Sequence, residues 1–368
     1  MPRRACGRPG ACSARGAASI VLAAPLAACA PSLERFEFRE VHMGCDARIV
    51  LLARDRSGAV AAARAAFDRI AEVDAALSDW RVDSEIERLG AELDRSPLPF
   101  AVATSPVLTA ALRCSMCVRA STSGRFDPAL GALTRLWRRH AREGSVPSAD
   151  EFERARSASG AEHIEVHEGR LVIRVHGLRF DFGGIGKGMA ADLALDELRR
   201  RNHGTALVQI AGDAAIGDAP PGRAGWRVRI AASGRLVELA PGSGISSSGD
   251  REQWIEVDGE RRSHILEPST GVGSRGAPGV TVIVSPRERR SACDACGAAA
   301  LADALATAAT LMNDAERDAL VASLPGIEVI VTPSPRAPES PPDPAGATRT
   351  TDPPGVACRA RATWPDPR

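Results

Sequence analysis

The sequence predicts an α+β fold, for three reasons. Short apolar strands and alanine-rich helices are mixed along the chain without the regular β-α-β alternation of a parallel α/β protein. Hydrophobic residues make up 44% of the 368 residues, which is enough for a sizeable core. No internal repeat is found, and no apolar stretch is long enough to predict a transmembrane helix.

The N-terminal segment predicts export. Four arginines precede an apolar stretch at residues 17–30, and the small-residue sequence "LAAC" ends at Cys29. This order is typical of a bacterial lipoprotein signal. We predict a signal peptide over residues 1–28, an acylated Cys29, a short tether over 29–35, and a cell-envelope lipoprotein anchored to the membrane on its periplasmic side. The alternative is an ordinary signal peptide that happens to contain a cysteine.

The first half of the chain predicts two strands and then several helices. "RFEFREVHMGCDARIVLLA" reads as two strands around a Met-Gly turn, because its apolar residues alternate. Residues 57–80 have apolar residues at helical spacing, and Ser57 is a candidate N-cap. Further helices are predicted over residues 105–120, 130–141 and 149–158.

The second half predicts mostly strands. Five short strands are "GRLVIRV", "GLRFDF", "TALVQIAGD", "WRVRIA" and "RLVELA", with a helix starting near Lys187 between the second and third. "QWIEVDGERRSHIL" predicts a hairpin with its turn at Asp258-Gly259. "GVTVIVS" and "GIEVIVTP" predict strands on either side of two helices, at "AAALADALATAATLMN" and residues 314–324. The proline-rich tail, residues 333–368, predicts disorder.

Composition argues against nucleic acid as a partner. The chain has 47 basic and 46 acidic residues, so it carries no general basic surface. It has no tyrosine and only 4% aromatic residues, which leaves little material for base stacking.

Two C-x-x-C pairs, Cys114/Cys117 and Cys293/Cys296, allow several interpretations. Together they could hold zinc, although they are far apart and no nearby histidine completes either pair. In an exported protein each pair could instead be oxidised. The plainest interpretation is that they are small residues on helices and loops.

The stretch "FDFGGIGKGMAAD", residues 180–192, follows a predicted strand and opens a predicted helix. Its glycine spacing matches neither the P-loop nor the dinucleotide-binding fingerprint. Glycines still allow close approach of a ligand, a helix N-terminus favours anions, and Lys187 could neutralise phosphate. The alternative is a glycine-rich turn with a solvated lysine.

Two further stretches carry candidate chemistry. In "ADALATAAT", Asp303 and Thr307 lie at i and i+4 on an otherwise apolar helix face, where hard oxygen ligands could hold Mg²⁺. The alternative is an aspartate near the helix N-terminus and a threonine that bonds back to a carbonyl. His264 ends a predicted strand beside a Pro-Ser-Thr-Gly turn, a position where catalytic groups often lie.

These stretches, with "HMGCDARI", "LSDWRVDSEIERLG" and "GRFDPALGALTRLW", resemble in sequence and order the FAD:protein FMN transferase (ApbE-like) family. The resemblance covers about residues 36–332, which we take as the domain. It implies mixed, mostly antiparallel sheets packed with helices, with two lobes around an FAD and metal site. It also implies transfer of FMN from FAD onto a threonine or serine hydroxyl of an acceptor flavoprotein, with release of AMP.

The resemblance also implies roles for individual residues. Asp303 and Thr307 would ligate Mg²⁺ with their side chains and Gly184 with its carbonyl, and His264 would be the catalytic base. The positions that would line the FAD site are Met43, Trp80, Arg125, Phe126, Asp127, Asp181, Lys187 and Leu266. The alternatives are an FAD pyrophosphatase that uses water as nucleophile and a non-catalytic flavin-binding lipoprotein.

The sequence departs from the family pattern at a few positions. Gly90 stands where the pattern has asparagine, Cys45 where it has threonine, and Glu267 where it has aspartate. Ala306 occupies a position that sometimes carries a second acidic group. The segment "RRSACDACGAAA" looks like an insertion before the metal helix.

Overall fold

The computed structural model describes residues 32–250, 254–257, 260–286 and 295–333. From Leu33 onward they belong to one compact unit. The predicted signal peptide and Cys29 lie outside the described residues, as do the Asp258-Gly259 turn, Cys293 and nearly all of the predicted tail. No helix in the described ranges is long and apolar enough to cross a membrane.

Helices and strands are mixed within these ranges, which confirms the predicted α+β class. The helices are α1 Arg56–Leu77, α2 Glu85–Leu93, α3 Pro106–Ser121, α4 Gly131–Glu143, α5 Ala149–Ser157, α6 Gly186–Arg200, α7 Ala298–Thr310 and α8 Asp314–Ser323. The strands of the large sheet are β1 Glu34–His42, β2 Cys45–Ala53, β6 Ala206–Ile210, β7 Asp213–Ile216, β10 Gly244–Ser248, β15 Gly279–Val284 and β16 Ile327–Thr332. The strands of the small sheets are β3 Phe100–Ala103, β4 Ile164–His167, β5 Arg170–Ile173, β8 Trp226–Arg229, β9 Leu236–Leu239, β11 Trp254–Val257, β12 Glu260–Ser263, β13 Leu266–Glu267 and β14 Val272–Gly273.

The large sheet has seven strands in the order β1-β2-β6-β7-β10-β15-β16, and every neighbouring pair is antiparallel. Its first hairpin turns at Met43 and Gly44, whose φ angles are 53° and 69°. Such angles suit a two-residue hairpin turn, because they match the twist of the strands. The Met-Gly turn predicted from the sequence is therefore confirmed.

The main core lies where α1, α6 and α7 pack against one another and against the large sheet. Small residues bring α6 and α7 close together. A side chain at Gly188 would collide with the backbone of Ala299 and Ala300. This contact brings the glycine-rich start of α6 against the helix that carries Asp303 and Thr307.

Two smaller apolar clusters complete the packing. The β8–β9 hairpin packs on the sheet through Val228 and Leu239, against Leu207 and Ile245. Elsewhere, α4 packs against β11 and β13. In this cluster Trp137 donates its indole N–H to the carbonyl of Gly271 (2.8 Å), which fixes the turn after β13.

Several sequence predictions need correction. "GLRFDF" is not a strand. Its backbone pairs instead with the loop before α4, through Gly131 N–H to Arg179 O (2.9 Å) and Asp181 N–H to Pro128 O (2.8 Å). The N-cap of α1 is Asp55 rather than Ser57, because the helix begins at Arg56 and the Asp55 carboxylate accepts from Gly58 N–H. The sequence predictions also lacked α2, β3, β4, β7, β10, β13 and β14, and the predicted strand "TALVQIAGD" corresponds to β6 alone.

The structure pairs the cysteines of the two C-x-x-C motifs in a way that none of the three interpretations predicted. Cys114, in α3, forms a disulfide with Cys296, just before α7, with their Cα atoms 5.2 Å apart. The bond joins one cysteine of each pair across 182 residues of sequence. Among the described residues, no group of three or more His, Cys, Asp or Glu side chains is arranged to hold a metal ion.

Candidate functional site

The turn before α6 forms the floor of the candidate site. The carboxylate of Asp181 accepts a hydrogen bond from Gly183 N–H (2.8 Å), and Gly186 N–H donates to Phe182 O (2.8 Å), so the chain reverses tightly into the helix. The ammonium of Lys187 donates back to Gly183 O (2.9 Å). The Lys187 side chain is therefore folded over the turn.

Thr307 lies directly against this turn. A Cβ atom added to Gly184 would stand 2.7 Å from Thr307 Oγ1, closer than carbon and oxygen atoms pack. Only glycine lets the backbone of the turn approach the hydroxyl so closely. Thr307 Oγ1 is also 3.3 Å from the Ser248 hydroxyl at the end of β10.

Asp303 lies one turn of α7 earlier and is only 1% exposed. Its Oδ2 accepts from Gly188 N–H (3.1 Å) and lies 3.6 Å from Lys187 Nζ. The structure thus brings together Gly184, Lys187, Asp303 and Thr307, which the sequence had placed on two distant stretches.

Asp213, at the start of β7, is a member of this cluster that the sequence reading missed. It is 1% exposed, accepts from the hydroxyl of Ser246, and has its Oδ2 3.3 Å from Lys187 Nζ. Its sequence signal is limited to an aspartate at the end of "TALVQIAGD", a stretch predicted as a single strand. Two buried carboxylates and one ammonium therefore share the site.

The charges in this cluster shift one another's pKa values. Burial, and then the charge of Asp213, raises the pKa of Asp303 from 3.8 to about 7. Burial alone would lower the pKa of Lys187, but the carboxylates of Asp213 and Asp303 raise it above its ordinary value. The lysine is therefore a permanent cation, whereas Asp303 gains or loses a proton near neutral pH.

A second charged cluster lies beyond Asp181. Arg138 pairs with Asp79 and lies 3.7 Å from Asp181 Oδ2. Burial and the Asp181 charge raise the pKa of Asp79. Burial opposes ionisation of Asp181, but Arg138, Gly183 N–H, Thr134 and the charge of His264 lower its pKa. His264 therefore lies within electrostatic reach of the turn that carries Asp181.

The other predicted FAD residues occupy different surroundings. Met43 packs over the start of α6, with its Cε 3.2 Å from where a Cβ on Gly186 would stand. Trp80 is 60% exposed in the loop after α1 and is available for stacking. Arg125 donates to Glu267 (2.7 Å) and Glu316 (2.6 Å), which ties the β13 turn to the first turn of α8.

Three predicted FAD residues have buried side chains and belong to the framework of the site. Phe126 packs in the main core, and Leu266 packs in the α4 cluster. The Asp127 carboxylate accepts from Ala129 N–H (2.8 Å), Ala161 N–H (3.0 Å) and Arg119 Nε (3.0 Å). The side chains of Phe126, Asp127 and Leu266 thus shape the loop around Arg125.

One departure from the family pattern, Gly90, has a local explanation. Gly90 lies under Arg179, since a Cβ there would be 2.9 Å from Arg179 Nε. An asparagine at this position would displace the arginine from its ion pair with Asp94. Cys45 is the half-buried first residue of β2, and nothing in the structure explains why it stands in place of threonine. Ala306 is fully buried.

The fold and the cluster together define an α+β protein with two buried carboxylates and a lysine at a glycine-rich turn, between an antiparallel sheet and two helices. Residues 43–331 match the ApbE family model, and the chain belongs to the ApbE family.

Relatives and solved structures agree with this assignment. The FAD:protein FMN transferase of Vibrio cholerae is 30% identical over 56% of this chain and 63% of its own length, and that of Treponema pallidum is 28% identical over 73% and 76%. The chain thus matches less than two thirds of the Vibrio cholerae relative. The apo form of Pseudomonas stutzeri flavinyl transferase ApbE superposes with a TM-score of 0.66 at 26% identity, covering 82% of this chain and 95% of its own. The ApbE protein of Thermotoga maritima gives a TM-score of 0.66 at 25% identity, over 81% and 94%.

Proposed function

We propose that this protein is a Mg²⁺-dependent FAD:protein FMN transferase that acts on a threonine or serine hydroxyl of an acceptor flavoprotein. The observation that carries the proposal is the meeting of Gly184, Lys187, Asp303 and Thr307 at one turn. Membership of a family whose relatives bear this name supports it. Cleavage of a pyrophosphate mainly requires positive charge and in-line positioning, which such a cluster can supply.

The residues present fit a magnesium ion. Asp213 Oδ2 lies 3.3 Å and Asp303 Oδ2 3.6 Å from the ammonium of Lys187, so two buried carboxylates share the charge of one lysine. Buried carboxylates favour a compensating cation. Asp303 and Thr307 would hold the ion with side-chain oxygens and Gly184 with its carbonyl, and Asp213 would add negative charge nearby. When bound, Mg²⁺ supplies positive charge to the pyrophosphate oxygens.

The protein's own groups would orient FAD. Lys187 lies over the turn with its ammonium held by Gly183 O, Asp213 and Asp303, so its charge is fixed where phosphate oxygens would bind. The N-terminus of α6 adds partial positive charge at the same place. Trp80 offers an exposed ring for stacking on a flat ring system.

His264 would act as the general base. The hydroxyl oxygen of the acceptor attacks the phosphorus of the FMN half of FAD, and its proton passes to the imidazole. The bond between that phosphorus and the bridging oxygen breaks, and AMP leaves with the electron pair. A hydroxyl is a poor nucleophile, so base assistance contributes roughly 10²–10⁴ in rate. The position of His264 between β12 and β13, beside the Pro-Ser-Thr-Gly turn, supports this role.

The proposal extends to partners and location. The partners are FAD, an acceptor flavoprotein and, through a lipidated Cys29, the membrane. The basis for the membrane anchor is the N-terminal sequence, in which four arginines, an apolar stretch and "LAAC" follow one another. Transfer of the whole FMN group outside the cytoplasm would need the acceptor to present its hydroxyl there too.

The direct test incubates the purified protein with FAD, Mg²⁺ and a flavoprotein domain bearing a candidate threonine. We expect a fluorescent acceptor band on a denaturing gel, which shows covalently attached FMN, and one AMP released for each FMN attached. The matched Thr→Ala acceptor should carry no FMN. Release of FMN and AMP without any label would instead identify an FAD pyrophosphatase. FAD that binds without being cleaved would identify a flavin-binding protein and overturn the enzymatic proposal.

A further inference from the structure

A carboxylate on one helix caps another helix that carries the proposed metal ligands. Asp192, in α6, accepts hydrogen bonds from Ala299 N–H (3.2 Å) and Ala300 N–H (2.8 Å) in the first turn of α7. The residue at the N-cap of α7 is Gly297, which has no side chain to perform this task. A serine or aspartate at the N-cap position normally accepts hydrogen bonds from the first N–H groups of a helix. Here a carboxylate of the neighbouring helix α6 accepts them instead.

The same two helices are joined again close to the metal site. Gly188 N–H, in the first turn of α6, donates to Asp303 Oδ2 (3.1 Å) in α7. A later residue of α6 thus bonds an earlier residue of α7, so the helices run antiparallel here. Four residues separate Gly188 from Asp192, which corresponds to about 6 Å along a helix axis. The two sets of bonds thus tie the start of α7, from Ala299 to Asp303, to the segment of α6 from Gly188 to Asp192.

The two helices are tightly packed between these bonded residues. A side chain at Gly188 would collide with the backbone of Ala299, and one at Gly297 would collide with the Asp192 carboxylate. The carboxylate is therefore pressed against the start of α7, where its charge also favours the positive end of the helix dipole. A shift of α7 along its axis would break the Asp192 bonds and move Asp303 away from Gly188 and Lys187 together.

We propose that Asp192 is a positioning residue, which sets the axial position of α7 and thereby places Asp303 and Thr307 for the cation. This inference rests on the proposed function, because it assumes that Asp303 and Thr307 hold the metal. Asp192 is not among the residues proposed to hold the metal or to line the FAD site. Its effect is expected in metal affinity, since groups that orient metal ligands typically contribute 10–100-fold to that affinity or to activity.

The test compares Asp192→Ala and Asp192→Asn with Asp55→Ala in the purified full chain. Asp55 is a matched control, because its carboxylate caps α1 by the same kind of bond, to Gly58 N–H (2.8 Å), and α1 carries none of the proposed ligands. Mn²⁺ binding in the presence of FAD is measured by the loss of the free-ion electron paramagnetic resonance signal. Thermal unfolding is measured alongside, and turnover is recorded against Mg²⁺ concentration.

We expect Asp192→Ala to weaken Mn²⁺ binding tenfold or more and to regain much of its kcat at high Mg²⁺. Asp192→Asn keeps one acceptor oxygen, so its Mn²⁺ affinity should fall less than that of Asp192→Ala. If the alanine variant does not fold, the asparagine variant takes its place in the comparison. Asp55→Ala should lower the melting temperature while leaving the Mn²⁺ dissociation constant within twofold of wild type.

Three outcomes would overturn the inference. Unchanged Mn²⁺ affinity in a folded Asp192 variant would show that the cap does not position the ligands. An equal loss in Asp55→Ala would show that the effect is one of general stability. Wild-type protein that binds no Mn²⁺ with FAD would overturn the inference and the proposed metal dependence together, whereas the first two results leave the proposed function intact.

Discussion

The Nζ atom of Lys187 lies 3.3 Å from Oδ2 of Asp213, a carboxylate that is 1% exposed. The first prediction concerns this pair. Lys187→Met should destabilise the metal-free protein by about 3–5 kcal/mol, because it leaves buried carboxylates without their cation. Asp213→Asn in the Lys187→Met background should restore part of that loss. A double-mutant cycle followed by urea unfolding measures the coupling.

The control for this cycle is the Arg156–Glu153 ion pair, which has the same 3.3 Å separation but exposed side chains. Its cycle is expected to show little coupling, since water screens exposed pairs. Additive effects for Lys187 and Asp213 would contradict the view that the two charges depend on each other.

The second prediction concerns the pH dependence of Asp303. Its pKa is about 7 in the folded protein against an ordinary 3.8, so between these values the folded state binds more protons than the unfolded state. This group therefore makes metal-free stability fall as pH rises from about 4 to about 7. Asp303→Asn should remove that contribution and make the unfolding free energy less dependent on pH in this window. The free energy of unfolding, measured with a metal chelator present at several pH values, tests this prediction.

Asp303 variants should also lose metal-dependent turnover. Asp303→Ala is expected to fold, since alanine is a good helix former, but to lose activity that depends on Mg²⁺. Asp318→Ala, an exposed change in the neighbouring helix α8, is the control and should behave as wild type. Wild-type activity of Asp303→Ala at limiting Mg²⁺ would show that the metal site is misplaced.

The third prediction concerns His264. His264→Ala should reduce FMN transfer far more than FAD affinity, and the transfer rate of wild type should fall as acid protonates the imidazole. Covalent flavin on an acceptor, with FAD titration in parallel, measures both. His167→Ala, in which an exposed histidine is removed, is the control. Equal losses of transfer and binding would assign His264 a binding role, and no loss would make Asp181 the next candidate for the base.

The fourth prediction concerns the Cys114–Cys296 disulfide. Peptide mapping without reductant should recover the two cysteines in one linked fragment. Cys114→Ser should lower stability by about 2–5 kcal/mol, because the bond closes a long loop in the unfolded chain. Since Cys296 immediately precedes α7, the variant should also weaken metal binding. A Cys114–Cys117 link in the map would contradict the pairing.

The fifth prediction concerns Cys29, in the motif "LAAC". The mature protein is expected to begin at an acylated Cys29, and Cys29→Ala should block processing or release the protein from membranes. Stable anchoring requires more than one acyl chain. Mass spectrometry of the mature N-terminus checks this, and an unlipidated chain that starts elsewhere would contradict it.

The local pattern of the sequence determined most of the elements of the fold. Alternation predicted β1 and β2, and helical spacing predicted α1, α3, α4, α6 and α7 close to their observed bounds. The helices are long and strongly periodic, so local preference and burial agree, whereas β2 lies between two strands and is buried on both faces from Ala47 to Leu51. "GLRFDF" alternates as well, but its backbone finds its partners in the loop before α4. Short segments of this kind are decided by which neighbour the tertiary structure places beside them.

The residues of the candidate site also fall into two groups, those that the sequence indicates and those that only the structure reveals. Residue type and spacing were enough to single out Lys187, His264, Asp303 and Thr307, because a lysine in a glycine-rich turn or a carboxylate on an apolar helix is unusual in itself. Nothing local marked Asp213 or Asp192, and nothing local paired Cys114 with Cys296. Their importance arises from contacts across 26 to 182 residues, from Lys187 to Asp213 and from Cys114 to Cys296. Only the packing of α3, α6 and α7 on the large sheet brings these groups within bonding distance, so only the tertiary structure could decide them.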